Sequence, residues 1–523
     1  MDGRVPITFQ PAEITVWVRS GTTVLEAARH AGIVLPAPCG GRGVCGACGV
    51  RVLSGELAAP SDEERSGLRR AGEGVRLACR AQIESPVTIR PFVAVGRETA
   101  VVARMRECPP TVAGVDLGTT SVAAVLIDPA TGIELSRASV PNAQQSYGAD
   151  VLTRVSAALD GAAAELRRLA EESVLAALGA ADGASGCSVS SVERVVIAGN
   201  SVMAALLCGA GVASLATHPF TPPAYERNLP LDSAVRSALS AGTEIAVLPP
   251  IAGFVGGDAL AATLSAGLIE AAEPLMLVDF GTNAEIVLAA KNHLVVGSAA
   301  AGPAFEGVGI SCGGPAAQGA ATRIEITANG DVDVHAIGDA EPLWFSGSGV
   351  VSAVAELLRH GHIDRSGLLV PDGPLKRRFA TRDDGVVTVR LGEGTSACLV
   401  LTQLDVRALQ LAKAAVRAGI AAVLDAGKVR AKKLERFLVA GAFGTALEVQ
   451  DLIDLGIIPE RVAERTRRVG NAALDGAAAI ALNPSILRLA ESAAKGATHV
   501  DLALDPGFTA AMLKAMAFER FRG

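Results

Sequence analysis

Apolar and polar residues alternate along the first part of the chain in a way that is typical of short β-strands. Such runs occupy residues 5–9, 14–18, 50–53 and 87–89. After the second run the spacing becomes helical from Val24, and Thr23 and Glu26 stand at the positions of a helix-starting capping box. We therefore predict a small sheet with one main helix over residues 1–93, the pattern of a β-grasp domain, and a proline-containing linker at 94–111.

The rest of the chain contains one strand–turn–strand pattern twice. An apolar run from residue 112 ends at Asp116 and a short turn, and a run near residue 277 ends at Asp279 and a similar turn. The turn residues are Gly118, Thr119 and Thr120 in the first copy and Gly281, Thr282 and Asn283 in the second. Backbone N–H groups of such turns bind phosphate oxygens, and the two carboxylates can hold Mg²⁺ through water. The repeat predicts a duplicated α/β fold with lobes at 112–270 and 271–523 that bind Mg-ATP between them.

A third turn follows the apolar run 436–440 and could press backbone against an adenine or ribose. It consists of Gly441, Ala442, Phe443 and Gly444. Asp258, after paired glycines, is a candidate for binding Mg²⁺ or orienting water, and Glu285 and Glu306 are candidates for positioning the attacking water. The sequence has no P-loop of the form G-x-x-x-x-G-K-S/T.

Four cysteines accompany a glycine-rich loop in the first domain. Cys39, Cys45 and Cys48 have five and two residues between them, and Cys79 follows further along the chain. Glycines allow a loop to fold over sulfur and let its N–H groups approach thiolate and sulfide. A zinc site usually pairs two short C-x₂-C knuckles, and only one is present. The spacing therefore favours a 2Fe-2S cluster over a structural zinc site or a disulfide framework.

Composition narrows the range of partners. The chain of 523 residues is half apolar but only 3% aromatic, and its net charge is −7. An acidic chain with few aromatic residues is not expected to bind nucleic acid. We see neither a signal peptide nor a membrane-spanning run, and the nine cysteines are an odd number, so we expect a reduced, cytoplasmic protein that does not bind membranes.

The order of the two acidic turns and the later glycine turn resembles the superfamily of acetate and sugar kinases, heat-shock chaperones and actin. Joined to a 2Fe-2S domain, nearly the whole chain resembles one family, the reductive activators of corrinoid proteins. Other segments that carry the resemblance are 142–144, 148–151, 198–201, 219–223, 253–258, 301–307 and 346–349. It implies an α+β ferredoxin domain followed by a two-lobed α/β actin-like ATPase, nucleotide contact by Gly302, and an assembly that could be a homodimer.

The resemblance also implies an activity. The protein would take one electron from a cellular reductant and pass it, with ATP hydrolysis, to the corrinoid protein of a methyltransferase system, reducing inactive cob(II) to methyl-accepting cob(I). The main alternative is a nucleotide-gated ferredoxin-type carrier for another low-potential acceptor. Two further alternatives are a small-molecule kinase with a regulatory cluster and an activator of an acyl-CoA dehydratase type of enzyme. The last is disfavoured, since those activators hold one cluster between two subunits.

Overall fold

The protein was analysed as a computed structural model, which describes residues 4–10, 14–31, 33–34, 48–68, 76–91, 95–96, 110–148, 150–185, 189–314, 316, 318–339, 341–392, 399–441, 447–503 and 505–522. The chain folds into two compact units. The first contains residues 1–271 and 473–495, and the second contains residues 272–472 and 496–523.

The first unit begins with a small sheet domain. Its elements are β1 (Arg4–Phe9), β2 (Ile14–Arg19), β3 (Thr22–Thr23), α1 (Val24–His30), β4 (Ile33–Val34), β5 (Gly49–Gly55), α2 (Asp62–Leu68), β6 (Arg76–Leu77), β7 (Gln82–Ile83), β8 (Val87–Pro91) and β9 (Val95–Gly96). The main sheet has the strand order β2-β1-β8-β5-β6, with β1 and β2 antiparallel and β1 and β8 parallel. Alternate residues such as Ile7, Phe9 and Ile89 form its buried core. The strands predicted at 5–9 and 14–18 are confirmed and form an antiparallel hairpin. The capping box is also confirmed, because Glu26 N–H donates to Thr23 Oγ1 over 3.2 Å.

The remainder of the first unit is a second α/β body. Its elements are β10 (Thr111–Leu117), β11 (Ser121–Ile127), β12 (Glu134–Pro141), α3 (Val151–Ala157), α4 (Ala163–Ser185), β13 (Val192–Gly199), α5 (Ser201–Leu207), α6 (Ala234–Ala238), β14 (Glu244–Val247) and α7 (Gly257–Ser265). The sheet order is β12-β11-β10-β13-β14; the first three strands are antiparallel neighbours, and β10, β13 and β14 are parallel. Apolar residues of α4 and α5 share one core with this sheet.

The second unit repeats this arrangement. Its strands up to the long helix are β15 (Leu275–Phe280), β16 (Ala284–Ala290), β17 (His293–Ala299), β18 (Ala320–Ile326), β19 (Val332–Ala336), β20 (Trp344–Phe345), β21 (Phe379–Thr381), β22 (Val387–Arg390) and β23 (Val400–Thr402), with α8 (Gly347–Arg359) and α9 (Gln403–Ala426). The later elements are β24 (Arg436–Ala440), α10 (Val449–Asp454), β25 (Thr466–Gly470), α11 (Ala472–Leu482), α12 (Ser485–Lys495), β26 (Thr498–His499) and α13 (Pro506–Ala515).

Its main sheet has the order β25-β24-β15-β16-β17-β26. As in the first unit, three consecutive strands (β15, β16, β17) are antiparallel neighbours. The first of them, β15, also pairs in parallel with β24, which in turn pairs in parallel with β25. The two acidic turns therefore occupy the same place in two copies of one fold, which confirms the predicted fold class. The late segment formed by most of α11 and by α12 packs in the first unit, where a Cβ on Gly476 would stand 2.7 Å from the Cα of Ala261.

Candidate functional site

Two of the four predicted cluster ligands lie in the described part of the chain, and they are adjacent. Cys48 immediately precedes β5, and the pairing of Gly49 with Leu77 brings it beside Cys79. The two sulfur atoms are 3.3 Å apart, and both side chains are buried. A disulfide bond is about 2.05 Å long, whereas two thiolates on one tetrahedral metal with bonds of about 2.3 Å lie about 3.8 Å apart. The pair therefore fits a shared iron. Cys39 and Cys45 lie outside the described residues.

A buried ion pair holds the strand that leads to Cys79. Glu64 of α2 is fully buried and accepts two hydrogen bonds from the Arg76 guanidinium, each 2.8 Å long. The same carboxylate accepts the N–H of Leu77 over 3.0 Å, and Arg76 also donates to the carbonyl of Ala58. Charge-assisted bonds of this bidentate kind combine strength with fixed geometry. Sequence reasoning assigned no role to this pair, because its two members belong to different elements and follow no periodic pattern.

Asn142 and Arg154 hold the first acidic turn in place by hydrogen bonds to its carbonyl groups. The side-chain amide of Asn142 donates to the carbonyl of Gly118 over 2.8 Å, and its backbone N–H donates to that of Thr120 over 2.9 Å. Arg154 donates to the carbonyl of Thr119 over 2.6 Å. In a trans peptide the carbonyl and the following N–H point in opposite directions. The N–H groups that follow these carbonyls therefore point away from the three donors, as a phosphate-binding turn requires.

Arg154 is a residue that sequence reasoning missed. It is fully buried on α3 and also donates to the carbonyl of Gly148 over 3.1 Å and to the sulfur of Met203 over 3.1 Å. Asn200 completes the support by donating to the hydroxyl of Thr119 over 3.0 Å, while its own oxygen caps α5. A buried arginine on a helix has no local sequence signal that separates it from an exposed one. Only the surrounding acceptors show its role.

Asp258 lies near Asp116 in the first unit. It stands in the first turn of α7, where its carboxylate accepts the N–H of Ala259 over 2.7 Å. The helix start fits closely against the end of β13, since a Cβ on Gly256 would lie 2.7 Å from the carbonyl carbon of Asn200. Burial raises the pKa of Asp258 to about 7, and the charge of Asp116 adds to the rise. Two carboxylates with this mutual influence are suited to share a proton or a cation.

In the second unit, Asp279 and Glu285 are directly opposite each other on β15 and β16. Glu285 is buried and accepts a long hydrogen bond of 3.4 Å from the hydroxyl of Ser298. Gly441 has a φ of +100°, and a Cβ there would lie 2.8 Å from Oδ1 of Asp279 and closer still to the carbonyl of Phe280. Glycine is therefore required at this position, and its backbone lies against the Asp279 carboxylate. Ala442, Phe443 and Gly444 lie outside the described residues.

The turn after Asp279 is tied to a second carboxylate. The hydroxyl of Thr282 donates to Oε1 of Glu306 over 2.9 Å, and the N–H of Gly302 donates to the carbonyl of Thr282 over 2.9 Å. The other carboxylate oxygen of Glu306 is buried and has no hydrogen-bond partner among the described residues. The turn is compact, since a Cβ on Gly281 would lie 3.2 Å from the carbonyl of Asn283. An unsatisfied buried oxygen is costly unless a ligand or water meets it.

The glycine at 349 has a structural reason in this fold. Ser346 caps α8 by accepting the N–H of Gly349. A Cβ on Gly349 would lie 2.9 Å from the carbonyl carbon of Ala321. These contacts explain the glycine without a nucleotide.

Three family models match the chain in succession. They are the 2Fe-2S iron-sulfur cluster binding domain over residues 7–84, the RACo middle region over 112–271, and the C-terminal domain of RACo, the ASKHA domain, over 273–522. Within the described residues, no helix is both long enough and apolar enough to cross a membrane.

Named relatives agree with these matches. The corrinoid activation enzyme RamQ of Eubacterium limosum is 30% identical over 413 residues, which are 75% of this chain and 68% of that protein. The Co(II) methylated amine-specific corrinoid protein reductase of Methanosarcina barkeri is 29% identical and is matched over 57% of each chain. A solved structure described as a reductive activator for a corrinoid, iron-sulfur protein superposes with a TM-score of 0.73 at 25% identity, covering 98% of both chains. The chain belongs to the family of reductive activators of corrinoid proteins.

Proposed function

We propose that this protein uses ATP hydrolysis to drive one electron onto a corrinoid protein of a methyltransferase system, reducing cob(II) to cob(I). The observation that carries the proposal is that one chain combines a paired-thiol site at Cys48 and Cys79 with two phosphate-type acidic turns. Membership of the corrinoid-activator family supplies the acceptor. An ATPase is useful to a one-electron carrier when its acceptor is harder to reduce than the carrier itself.

The cluster would be held by Cys39, Cys45, Cys48 and Cys79, and it supplies one-electron storage when bound. The chain's own contribution is to bury the Cys48–Cys79 pair and to fix the strand before Cys79 through Glu64 and Arg76. Burial and hydrogen bonding of this kind set the reduction potential of iron–sulfur sites. The immediate electron donor is a separate cellular reductant in this proposal, and both proteins act in the cytoplasm.

ATP is the substrate of the remaining machinery. The N–H groups of the turns 118–120 and 281–283 would bind phosphate oxygens, and Asp116 and Asp279 would hold Mg²⁺, which would neutralise phosphate charge. Gly302 and residues 441–444 contact the nucleoside. Asp258 assists Asp116 in holding Mg²⁺. The raised pKa of Asp258 also allows it to carry a proton near neutral pH. ATP changes the reduction equilibrium only through its different affinity for the two docked states of the corrinoid protein.

Glu306 is the carboxylate that we assign to the attacking water. Its Oε1 is fixed by Thr282, and its Oε2 is buried without a partner among the described residues, so a water there would gain an acceptor. Glu285 is the competitor, with the weaker support of a 3.4 Å contact. Glu306→Gln should reduce the ATP hydrolysis rate about 100-fold while leaving the Kd for ATP within about threefold. If Glu285→Gln shows this split and Glu306→Gln does not, the assignment is wrong.

The experiment that tests the function is reduction of a cob(II)-loaded corrinoid protein under anaerobic conditions. The reduced activator is mixed with it, and the absorbance of cob(I) is followed with and without Mg-ATP. Cob(I) should form only with Mg-ATP and should be lost in Asp279→Ala and in Cys45→Ala. Asp333→Asn is the matched control, because its side chain is 74% exposed on β19, a strand that belongs to neither acidic turn. If ATP binds without being hydrolysed in the presence of several corrinoid partners and cob(II) persists, the gated electron carrier replaces the activator.

A further inference from the structure

The outer face of the first sheet carries four exposed arginines. Arg4 lies directly opposite Arg19 across β1 and β2, and Arg51 lies opposite Arg90 across β5 and β8. The buried residues of these strands mark the inner face, so the alternate positions that include these arginines all point outward. We call Arg4, Arg19, Arg51 and Arg90 the basic face. The described residues on the outward positions of these strands include no acidic side chain.

The pairing of Arg4 with Arg19 opposes stability. Like charges directly opposite each other on a sheet are destabilising. Three other arginines of the same domain pair with acidic residues: Arg65 with Asp62, Arg76 with Glu64 and Arg80 with Glu63. Arg4, Arg19 and Arg90, in contrast, form no ion pair with any residue that the structure describes. A sheet face that carries arginines and no acidic residue among its described outward positions, on a protein of net charge −7, therefore indicates a role in binding a partner.

An aromatic residue lies on the same face. Trp17 is 63% exposed, faces Pro6 across β1 and β2, and stands two residues before Arg19 on β2. Tryptophan and arginine are the residue types that most often dominate the binding energy of protein interfaces. The neighbouring outward positions are small and polar, with the hydroxyls of Thr8 and Thr15 bonded to each other over 2.9 Å. The result is a flat surface with an aromatic anchor and positive charge.

The basic face is also of the right size and in the right place for electron exchange. The Arg4–Arg19 pair and the Arg51–Arg90 pair lie at opposite ends of the sheet, about 20 Å apart at 3.3 Å per residue. A standard protein interface of about 800 Å² per partner is about 30 Å across, so both pairs fit within one interface. Arg51 of β5 follows Cys48 by three residues in the chain, so this end of the face adjoins one of the predicted cluster ligands.

We propose that the basic face docks an acidic electron-carrier protein that reduces the cluster. The donor loses one electron and the cluster gains it, and no covalent bond forms or breaks. This inference rests on the proposed function, since it names the partner that supplies the electron. Charge complementarity favours an acidic protein surface, and the sheet face offers a flat site near Cys48 on which such a surface can dock. Opposite charges would steer the encounter, which raises association rates at low salt.

The test uses an oxidised flavodoxin, an acidic flavin protein, as the probe. Its affinity for the full-length activator is measured by titration calorimetry at about 20 mM and 200 mM salt. Arg19→Glu combined with Arg90→Glu should weaken binding at least about tenfold at low salt and remove most of the salt dependence. Arg65→Glu combined with Arg488→Glu changes the net charge by the same amount at exposed positions of α2 and α12, which are not part of the basic face, and should change the affinity by less than about twofold.

A second variant separates a folding defect from loss of docking. Arg4→Glu places opposite charges across β1 and β2, so it should not weaken the sheet, yet it should still lower the affinity for flavodoxin. The proposal is wrong if the two double variants bind equally well, or if Arg4→Glu keeps full affinity. It is also wrong if Arg19→Glu with Arg90→Glu leaves flavodoxin binding intact but slows cob(I) formation from a chemically reduced cluster. In that case the face docks the corrinoid protein, and the activator function stands.

Discussion

The buried pair of Glu64 and Arg76 should control the stability of the strand that leads to Cys79. Glu64→Gln keeps the shape of the side chain and retains one oxygen for the N–H of Leu77. It removes the charge and turns an amide N–H₂ toward Nη2 of Arg76. Both groups are then donors, so no hydrogen bond can form between them. One charge-assisted bond, typically about 1.5–3 kcal/mol, is lost and the other is weakened. A total of about 3 kcal/mol follows, at the low end of the cost of breaking a buried ion pair.

Hydrogen exchange measures this loss locally. A loss of about 3 kcal/mol corresponds to amide exchange about 100-fold faster, since about 1.4 kcal/mol is a factor of ten. The effect should appear in a peptide that covers residues 76–83 and should be small in β10 and β15. The matched control is Glu63→Gln, whose side chain is 68% exposed and pairs with Arg80 at 3.2 Å. An exposed pair of this kind contributes less than about 1 kcal/mol, so exchange should change by less than about fivefold. Equal effects of the two variants would refute the role of the buried pair.

Two further predictions concern the second unit. Gly441→Ala should lower stability by about 3 kcal/mol and weaken ATP binding, because the added Cβ meets the carbonyl of Phe280. Gly361 also has a positive φ, but the space around it is open. In thermal unfolding, Gly361→Ala should therefore show a loss of only about 1 kcal/mol. Burial, together with the charge of Arg417, lowers the pKa of Lys413 to about 7, so the folded state binds fewer protons than the unfolded state between that pH and the ordinary lysine pKa. Wild-type stability relative to Lys413→Met should therefore rise as the pH increases from 7 to 10, and Tm values that differ by the same amount at pH 7 and 10 would contradict this.

Periodic features of the fold could be predicted from the sequence. The alternation at residues 5–9 and 14–18 identified the first hairpin, because one face of an antiparallel sheet is buried. The repeated Asp-x-Gly-Thr turns identified the duplication, because a sharp turn after a buried strand needs glycine and a polar side chain. Local rules therefore fixed both elements and the position of Asp116 and Asp279 within them.

The supporting residues followed no such rule. Arg154 reaches the carbonyl of Thr119 from a different element, and Glu64 reaches Arg76 from another. The packing of residues 473–495 in the first unit depends on close backbone contact at Gly476, which hydrophobic periodicity does not record. The basic face could be found only from strand register, since Arg4 and Arg19 are neighbours across a hairpin and Arg51 and Arg90 belong to separate strands.

The most direct test of the account follows phosphate release and cob(I) absorbance in one anaerobic sample that contains the reduced protein and a cob(II)-loaded corrinoid protein. The account predicts that the corrinoid protein accelerates ATP hydrolysis, that cob(I) forms in step with phosphate release, and that neither occurs without Mg²⁺. Cob(I) that forms at the same rate and to the same extent without ATP would contradict the central claim that hydrolysis drives the electron onto cobalt.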